Sequence, residues 1–196
     1  MYKRLLVIGF AALALTVASS AQATTFTLNS FDVSLKTTDP GLVLWEKDLL
    51  PEPTSFDLTT VGQSTSLMPL FRIGTDETAL NLDDVVPAPI AVNFSFTQPT
   101  PAFGGSSGGL TGAAWLGTSF GYVAWDNPLL LSFGTSGLLS VTLTNETFGL
   151  PGWADVDVKF SLVRADVGTP EPASLLLIGT ALAGMGFRKF RRAVAA

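Results

Sequence analysis

Residues 90–97 read IAVNFSFT, and this stretch decides the fold because its apolar and polar residues alternate without interruption. Ile90, Val92, Phe94 and Phe96 share one parity, and small or polar residues occupy the other. Successive side chains of a β-strand point to opposite faces, so a period of two predicts a strand with one face on a core and the other in water.

The same period extends over much of the chain between its two ends. It recurs in residues 139–144 and 155–162, and further strands are predicted at 42–46, 55–61, 67–73, 119–125 and 128–133. Residues 26–35 change parity at Asn29 and Ser30, which predicts a β-bulge. Nine or ten short strands without a helical pattern predict an all-β fold, an antiparallel β-sandwich with a jelly-roll or immunoglobulin-like arrangement.

The stretch from Phe103 to Gly121 is rich in glycine and serine. A phosphate-binding loop would require a lysine within it and a helix after it, and neither signal is present. The composition therefore favours a flexible surface loop.

The N-terminus has the three parts of a secretory signal. Lys3 and Arg4 precede an apolar run, and Ala21-Gln22-Ala23 provides the small-x-small pattern for cleavage. Signal peptidase would remove residues 1–23 and leave Thr24 as the first residue of an exported domain over 24–167. An uncleaved anchor is the alternative, although the apolar run is short for a span of about 20 residues.

The C-terminus is predicted to cross the membrane. Residues 168–172 form a linker that contains Pro170-Glu171-Pro172, and a segment over 173–190 follows whose first 15 residues, 173–187, carry no charge. It has no polar face, so we expect a transmembrane helix rather than a surface-lying one. Residues 188–196 form a basic end, and the four basic side chains that keep it in the cytoplasm are Arg188, Lys189, Arg191 and Arg192.

This ordered tail resembles that of the PEP-CTERM proteins of Gram-negative bacteria. The resemblance covers about 27 residues and implies recognition by a membrane enzyme, exosortase, which cleaves near the motif and passes the body to the cell surface. The tripeptide alone carries little, because Pro51-Glu52-Pro53 repeats it in a polar setting where a turn between strands is predicted. A stop-transfer helix without sorting is the alternative.

The composition of the exported body argues against several classes of function. Residues 24–169 contain five basic and fifteen acidic residues, a net charge of −10, which argues against nucleic acid as a partner. The chain has no cysteine and no histidine. Serine–histidine triads, cysteine–histidine dyads and the usual zinc or copper sites are therefore excluded.

Two weak candidate sites remain in the body. Asp155 and Asp157 share a strand face and, with Asp83-Asp84 or Asp76-Glu77 nearby, would bind calcium weakly, although a solvated strand face is the plainer interpretation. Trp115 and Trp153 lie in glycine-rich contexts suited to sugar-binding aromatics, and packing in the core or a loop is the alternative. No catalytic residue, metal centre or cofactor is predicted.

We therefore expect a non-enzymatic protein with a structural or adhesive role at the cell surface or in the extracellular matrix. The membrane anchors it transiently through the C-terminal helix, and exopolysaccharide is the expected partner outside the cell. The alternatives are a carbohydrate-binding module, which would expose two or more tryptophans on one face, and a secreted hydrolase with a carboxylate pair about 5–10 Å apart.

Overall fold

The computed structural model describes residues 23–166, and these form an all-β body with eleven strands and no helix. The strands are β1 (Thr24–Ser34), β2 (Trp45–Asp48), β3 (Thr54–Leu58), β4 (Met68–Thr75), β5 (Ala88–Gln98), β6 (Phe103–Trp115), β7 (Ser119–Trp125), β8 (Leu129–Phe133), β9 (Gly137–Leu143), β10 (Glu146–Gly149) and β11 (Gly152–Arg164).

The strands form two antiparallel sheets. The six-stranded sheet has the order β10-β7-β6-β5-β1-β3, and the five-stranded sheet has the order β2-β4-β11-β9-β8. The all-β, antiparallel fold class predicted from the period of two is confirmed.

The inner faces of the two sheets share one hydrophobic core. In β5 the four apolar residues of the deciding stretch are buried, whereas Asn93 and Ser95 are exposed. Aromatic rings join the sheets, because Phe26 lies 5.1 Å from Phe133 and Phe96 lies 5.8 Å from Phe160. Edge-to-face pairs at such distances add to the free energy gained by burial.

The predicted bulge in β1 is present. The register of β1 against β5 shifts between Thr27 and Ser30, so both apolar sets of the strand face the core. Glu52 stabilises this irregular segment, because its carboxylate accepts a hydrogen bond from the main-chain N–H of Phe31 at 2.6 Å. The first Pro-Glu-Pro therefore lies in the connection between β2 and β3, as predicted, and its glutamate has a structural role.

The flexible loop predicted in the glycine-rich stretch is wrong. Residues 103–115 form β6, a central strand of the six-stranded sheet. A Cβ at Gly105 would lie 2.6 Å from a methyl group of Leu131, and one at Gly109 would lie 2.9 Å from the ring of Trp125. These glycines allow large neighbouring side chains to pack against the strand.

The register places both ends of the described body on one side, which we call the terminal end. Thr24 pairs with Leu58, and the carbonyl of Gln63, a few residues beyond that strand, accepts a hydrogen bond from the N–H of Leu162 near the end of β11. Asp166, the last described residue, therefore lies at the same end as Thr24. At the opposite end, which we call the far end, the strands meet at Thr75, Ala88, Ser34, Trp115 and Gly152. At about 3.4 Å per residue, β11 separates the two ends by roughly 40 Å.

Candidate functional site

Two tryptophans flank one glycine on the outer surface of the five-stranded sheet. Gly74 of β4 pairs with Trp45 of β2 on one side and with Trp153 of β11 on the other. Directly paired residues point to the same face of a sheet. The neighbouring Ile73 faces the core, so both indoles lie on the outer face. Trp153 is 53% exposed and Trp45 is half-buried.

Gly74 is the residue that allows this arrangement. A Cβ at this position would lie 2.6 Å from Cζ2 of Trp45 and 2.8 Å from Cβ of Trp153. The six-membered ring of Trp45 therefore lies across the bare backbone of β4, where any larger residue would displace it.

Arg72 fixes the orientation of Trp153. Its guanidinium lies 3.6 Å from the centre of the Trp153 ring, which is a close cation–π contact. The same group binds Asp155 through two hydrogen bonds, from Nε to Oδ1 at 2.6 Å and from Nη2 to Oδ2 at 3.0 Å. The hydrogen bonds to Arg72 lower the pKa of Asp155, and the pKa of Arg72 is raised.

We call Trp45, Arg72, Gly74, Trp153 and Asp155 the tryptophan face. It combines two flat apolar rings with an arginine and a carboxylate on a rigid sheet. Such a surface can stack on the apolar face of a sugar ring and hydrogen-bond to its hydroxyl groups. Beside it lies a surface cleft lined by Trp45, Asp39, Asp76 and Glu77, and the indole N–H of Trp45 donates to Asp76 Oδ1 at 3.2 Å.

The structure does not place the two predicted tryptophans on one face. Trp115 is 67% exposed, but it ends β6 in the six-stranded sheet and is followed by Leu116, which is 82% exposed. Trp153 belongs to the other sheet, and its neighbour is Trp45. The alternating pattern predicts each strand separately but not the pairing between strands. Gly74, which directly follows the predicted strand 67–73, is the one signal in the sequence for a close neighbour.

The two predicted calcium-binding aspartates are also on the five-stranded sheet. Both oxygens of Asp155 are engaged by Arg72, and Asp157 lies beyond a register shift opposite Pro69. Within residues 23–166, no three or more acidic side chains are grouped so that they alone would hold a metal ion. A different acidic pair, Glu77 and Asp84, lies at the far end, and each has one buried oxygen without a hydrogen-bond partner.

The remaining predicted residues concern export and sorting, and most lie outside the described residues. Ala23 and Thr24 are described, and β1 begins at Thr24, so cleavage after Ala23 would leave the strand whole. Ala21, Pro170, Glu171, Pro172, Arg188, Lys189, Arg191 and Arg192 lie outside them, as do the helix predicted over 173–190 and the basic end. Within residues 23–166, no helix is long and apolar enough to span a membrane.

Comparison with known protein families finds a match to the PEP-CTERM protein-sorting motif over residues 169–192. The chain carries a PEP-CTERM sorting signal. The match confirms the resemblance seen in the order of tripeptide, apolar segment and basic cluster. A PEP-CTERM signal indicates export and a C-terminal, membrane-anchoring sorting segment that exosortase processes. No curated protein and no solved structure matches the chain, so the all-β body carries no family assignment.

Proposed function

We propose that this protein is an exported, exosortase-sorted component of the cell surface or extracellular matrix, with a structural or adhesive and non-enzymatic role. The observation that carries the proposal is the PEP-CTERM signal joined to a rigid all-β body. The two sheets with their shared core form a β-sandwich of the jelly-roll or immunoglobulin-like kind.

The steps of sorting follow from the predicted segments. Signal peptidase removes residues 1–23, the helix over 173–190 holds the chain in the membrane, and the basic end over 188–196 stays in the cytoplasm. An exosortase-like enzyme then cleaves near Pro170-Glu171-Pro172. The tail joins the body at the terminal end, so the far end, with the tryptophan face next to it, points away from the membrane.

Intact-mass analysis of the mature protein tests the sorting. In cells with exosortase we expect a mass that lacks residues 1–23 and the segment after the motif. In cells without exosortase we expect residues 173–196 to remain attached. A matched pair of variants controls for the tripeptide, since Glu171→Gln changes the sorting motif and Glu52→Gln changes the first Pro-Glu-Pro. Retention of residues 173–196 in both strains would contradict the proposal.

The second candidate function is carbohydrate binding by the tryptophan face. The observation in its favour is that Trp45 and Trp153 flank Gly74 on one outer face, with Arg72 and Asp155 beside them. In this function the adhesive role would be binding to the exopolysaccharide of the matrix. Two indoles on one outer face suit a long polysaccharide chain, because each ring can stack on one sugar unit.

Retention on an exopolysaccharide column tests this second function. We expect Trp153→Ala and Trp45→Ala each to weaken binding about tenfold or more, the range of a buried aromatic contact. Trp115→Ala is the matched control, since Trp115 is also exposed at the same end but lies on the other sheet. Equal loss in the three variants would exclude a site limited to the tryptophan face.

The non-enzymatic role is proposed on the composition of the chain, which contains neither histidine nor cysteine. The alternative hydrolase would use two carboxylates in a cleft, and Asp39, Asp76 and Glu77 line the one beside Trp45. Release of reducing sugar ends from the bound polysaccharide would contradict our proposal. If release occurs, loss of the activity in Asp39→Asn or Asp76→Asn would place it in this cleft.

A further inference from the structure

Two connections at the far end bring acidic side chains together. Residues 76–87 join β4 to β5, and residues 35–44 join β1 to β2. Glu77 reaches from one to the other, where its Oε1 accepts a hydrogen bond from the N–H of Val43 at 2.7 Å. Asp84 is fixed by two contacts, because its Oδ2 accepts from the N–H of Asn81 at 2.7 Å and its carbonyl accepts from the N–H of Ala113 at 2.9 Å.

Each of these two carboxylates keeps one buried oxygen without a partner. The two atoms are Glu77 Oε2 and Asp84 Oδ1, and Asp84 as a whole is only 1% exposed. A buried polar atom without a hydrogen bond destabilises the folded state, and an unpaired buried anion does so more strongly. The position of Asp84 is therefore unexplained by the hydrogen bonds of the body alone.

The side chains of Glu77 and Asp84 lie close enough to interact. Burial raises the pKa of Glu77, and the carboxyl group of Asp84, within hydrogen-bonding reach, raises it further, as does the charge of Asp39. When both groups are ionised, two negative charges share this volume and neither can donate a hydrogen bond to the other. The one basic residue of the two connections is Lys36, and its side chain packs along Gly41 rather than between the two acids.

We propose that Glu77 Oε2 and Asp84 Oδ1 bind a calcium ion that joins residues 76–87 to residues 35–44. Main-chain carbonyl groups and water complete the coordination, which for calcium comprises six to eight oxygens in a tolerant geometry. Carboxylates without imidazole or thiolate ligands suit a hard cation rather than zinc or copper. The cleft lined by Asp39, Asp76 and Glu77 gives a cation a negatively charged route to the pair.

The ion would act on the tryptophan face through its neighbours. Asp76 accepts a hydrogen bond from the indole of Trp45, and Glu77 is the next residue in the chain. Binding at Glu77 and Asp84 therefore orders the segment that holds Trp45. The affinity expected for such an exported module is a dissociation constant of about 0.1–1 mM.

Thermal unfolding of the full-length protein in detergent micelles, followed by tryptophan fluorescence, tests the proposal. After treatment with a chelator, addition of about 10 mM CaCl₂ should raise Tm by about 3–6 °C. NaCl at the same ionic strength should raise it much less, because screening does not supply ligands to the two oxygens. An equal effect of NaCl, or no effect of CaCl₂, would overturn the proposal.

The variant Glu77→Gln separates ion binding from folding. Its amide can still accept from Val43 through oxygen and can donate from nitrogen to Asp84 Oδ1, so the variant should fold and lose the response to calcium. Asp126→Asn removes one exposed charge elsewhere and should keep the full response. If Glu77→Gln keeps the wild-type response to CaCl₂, the ion does not bind at this pair and the proposal is wrong.

Discussion

The carboxylates at the terminal end and at the far end differ in the hydrogen bonds that their oxygens accept. At the terminal end, Oδ1 of Asp166 accepts hydrogen bonds from the main-chain N–H groups and the hydroxyl groups of Thr135 and Ser136. These bonds lower the pKa of Asp166, the one from the Thr135 hydroxyl most strongly. At the far end, Glu77 and Asp84 each keep an oxygen without a donor, and the pKa of Glu77 is raised.

This difference in hydrogen bonding indicates that the carboxylates at the two ends have different roles. A carboxylate whose oxygens are supplied with donors by its own chain closes a turn and needs nothing from outside. A buried carboxylate without a donor is stabilised only by a proton, a cation or another ligand. This contrast supports the proposal that the far end binds a ligand, whereas the carboxylate at the terminal end closes a turn.

One hydrophobic core supports both ends, so Phe160→Ala is expected to have the largest effect on stability. The Phe160 ring stacks on Phe56 at 4.6 Å and meets Phe94 and Phe96 edge-on. Removing a fully buried phenylalanine costs about 3–5 kcal/mol. We expect this loss in urea unfolding, with both ends unfolding in one transition. Leu110→Ala, on the exposed outer face of β6, should cost far less. Two separate transitions in the wild-type protein would contradict a single core.

Gly74→Ala should disturb the far end while the core remains intact. The added methyl group would lie 2.6 Å from the Trp45 ring and also 2.6 Å from the carbonyl oxygen of Gly152. Such overpacking costs about 1–3 kcal/mol. We expect weaker retention on exopolysaccharide together with this loss of stability. Gly108→Ala is the control, since its methyl group would meet one flexible side chain, Asp126, at 3.4 Å. Unchanged retention in Gly74→Ala would show that the glycine does not position the two indoles.

Sequence alone predicted the fold well where local pattern determines it. Alternation located β5, β9 and β11, and the change of parity located the bulge in β1. It missed β6, because residues 104–109 of this strand are only glycine and serine and show no alternation of apolar and polar side chains. It also missed β10, which has only four residues.

The candidate sites were harder to predict because they depend on pairing between distant segments. Trp45 and Trp153 meet only through β4, and Glu77 and Asp84 meet only after residues 76–87 fold back on themselves. The sorting tail could be predicted without knowledge of any pairing, because it is recognised by the order of its parts along the chain. The family match confirms this prediction.

Glu77→Gln should change the stability of the protein in the absence of calcium, in a way that depends on pH. The folded-state pKa of Glu77 lies above 4.5, so its favourable contribution is present below pH 4.5 and is lost as the pH rises through the folded pKa. At pH 7 the variant should therefore be more stable than the wild type, by up to about 1 kcal/mol after solvent screening. At pH 3.5, where Glu77 is protonated, the two should be nearly equal. Urea unfolding at both pH values measures this, and a destabilised variant at pH 7 would show that the wild-type carboxylate is already satisfied.

Asp166→Asn should give the smallest effect, with the opposite sign. The folded-state pKa of Asp166 lies below 3.8, so its contribution is present above pH 3.8 and is lost as the pH falls through the folded pKa. The variant keeps an oxygen that can accept the same hydrogen bonds but removes the negative charge that strengthens them. We expect it to be less stable than the wild type at pH 7, and the deficit to shrink towards pH 3. The same urea series measures it, and a variant that is as stable as the wild type at pH 7 would show that the turn at Thr135 and Ser136 does not depend on this charge. Opposite pH dependence in Glu77→Gln and Asp166→Asn would show that the two ends differ in how they hold negative charge, since a general effect of net charge would give both variants the same sign.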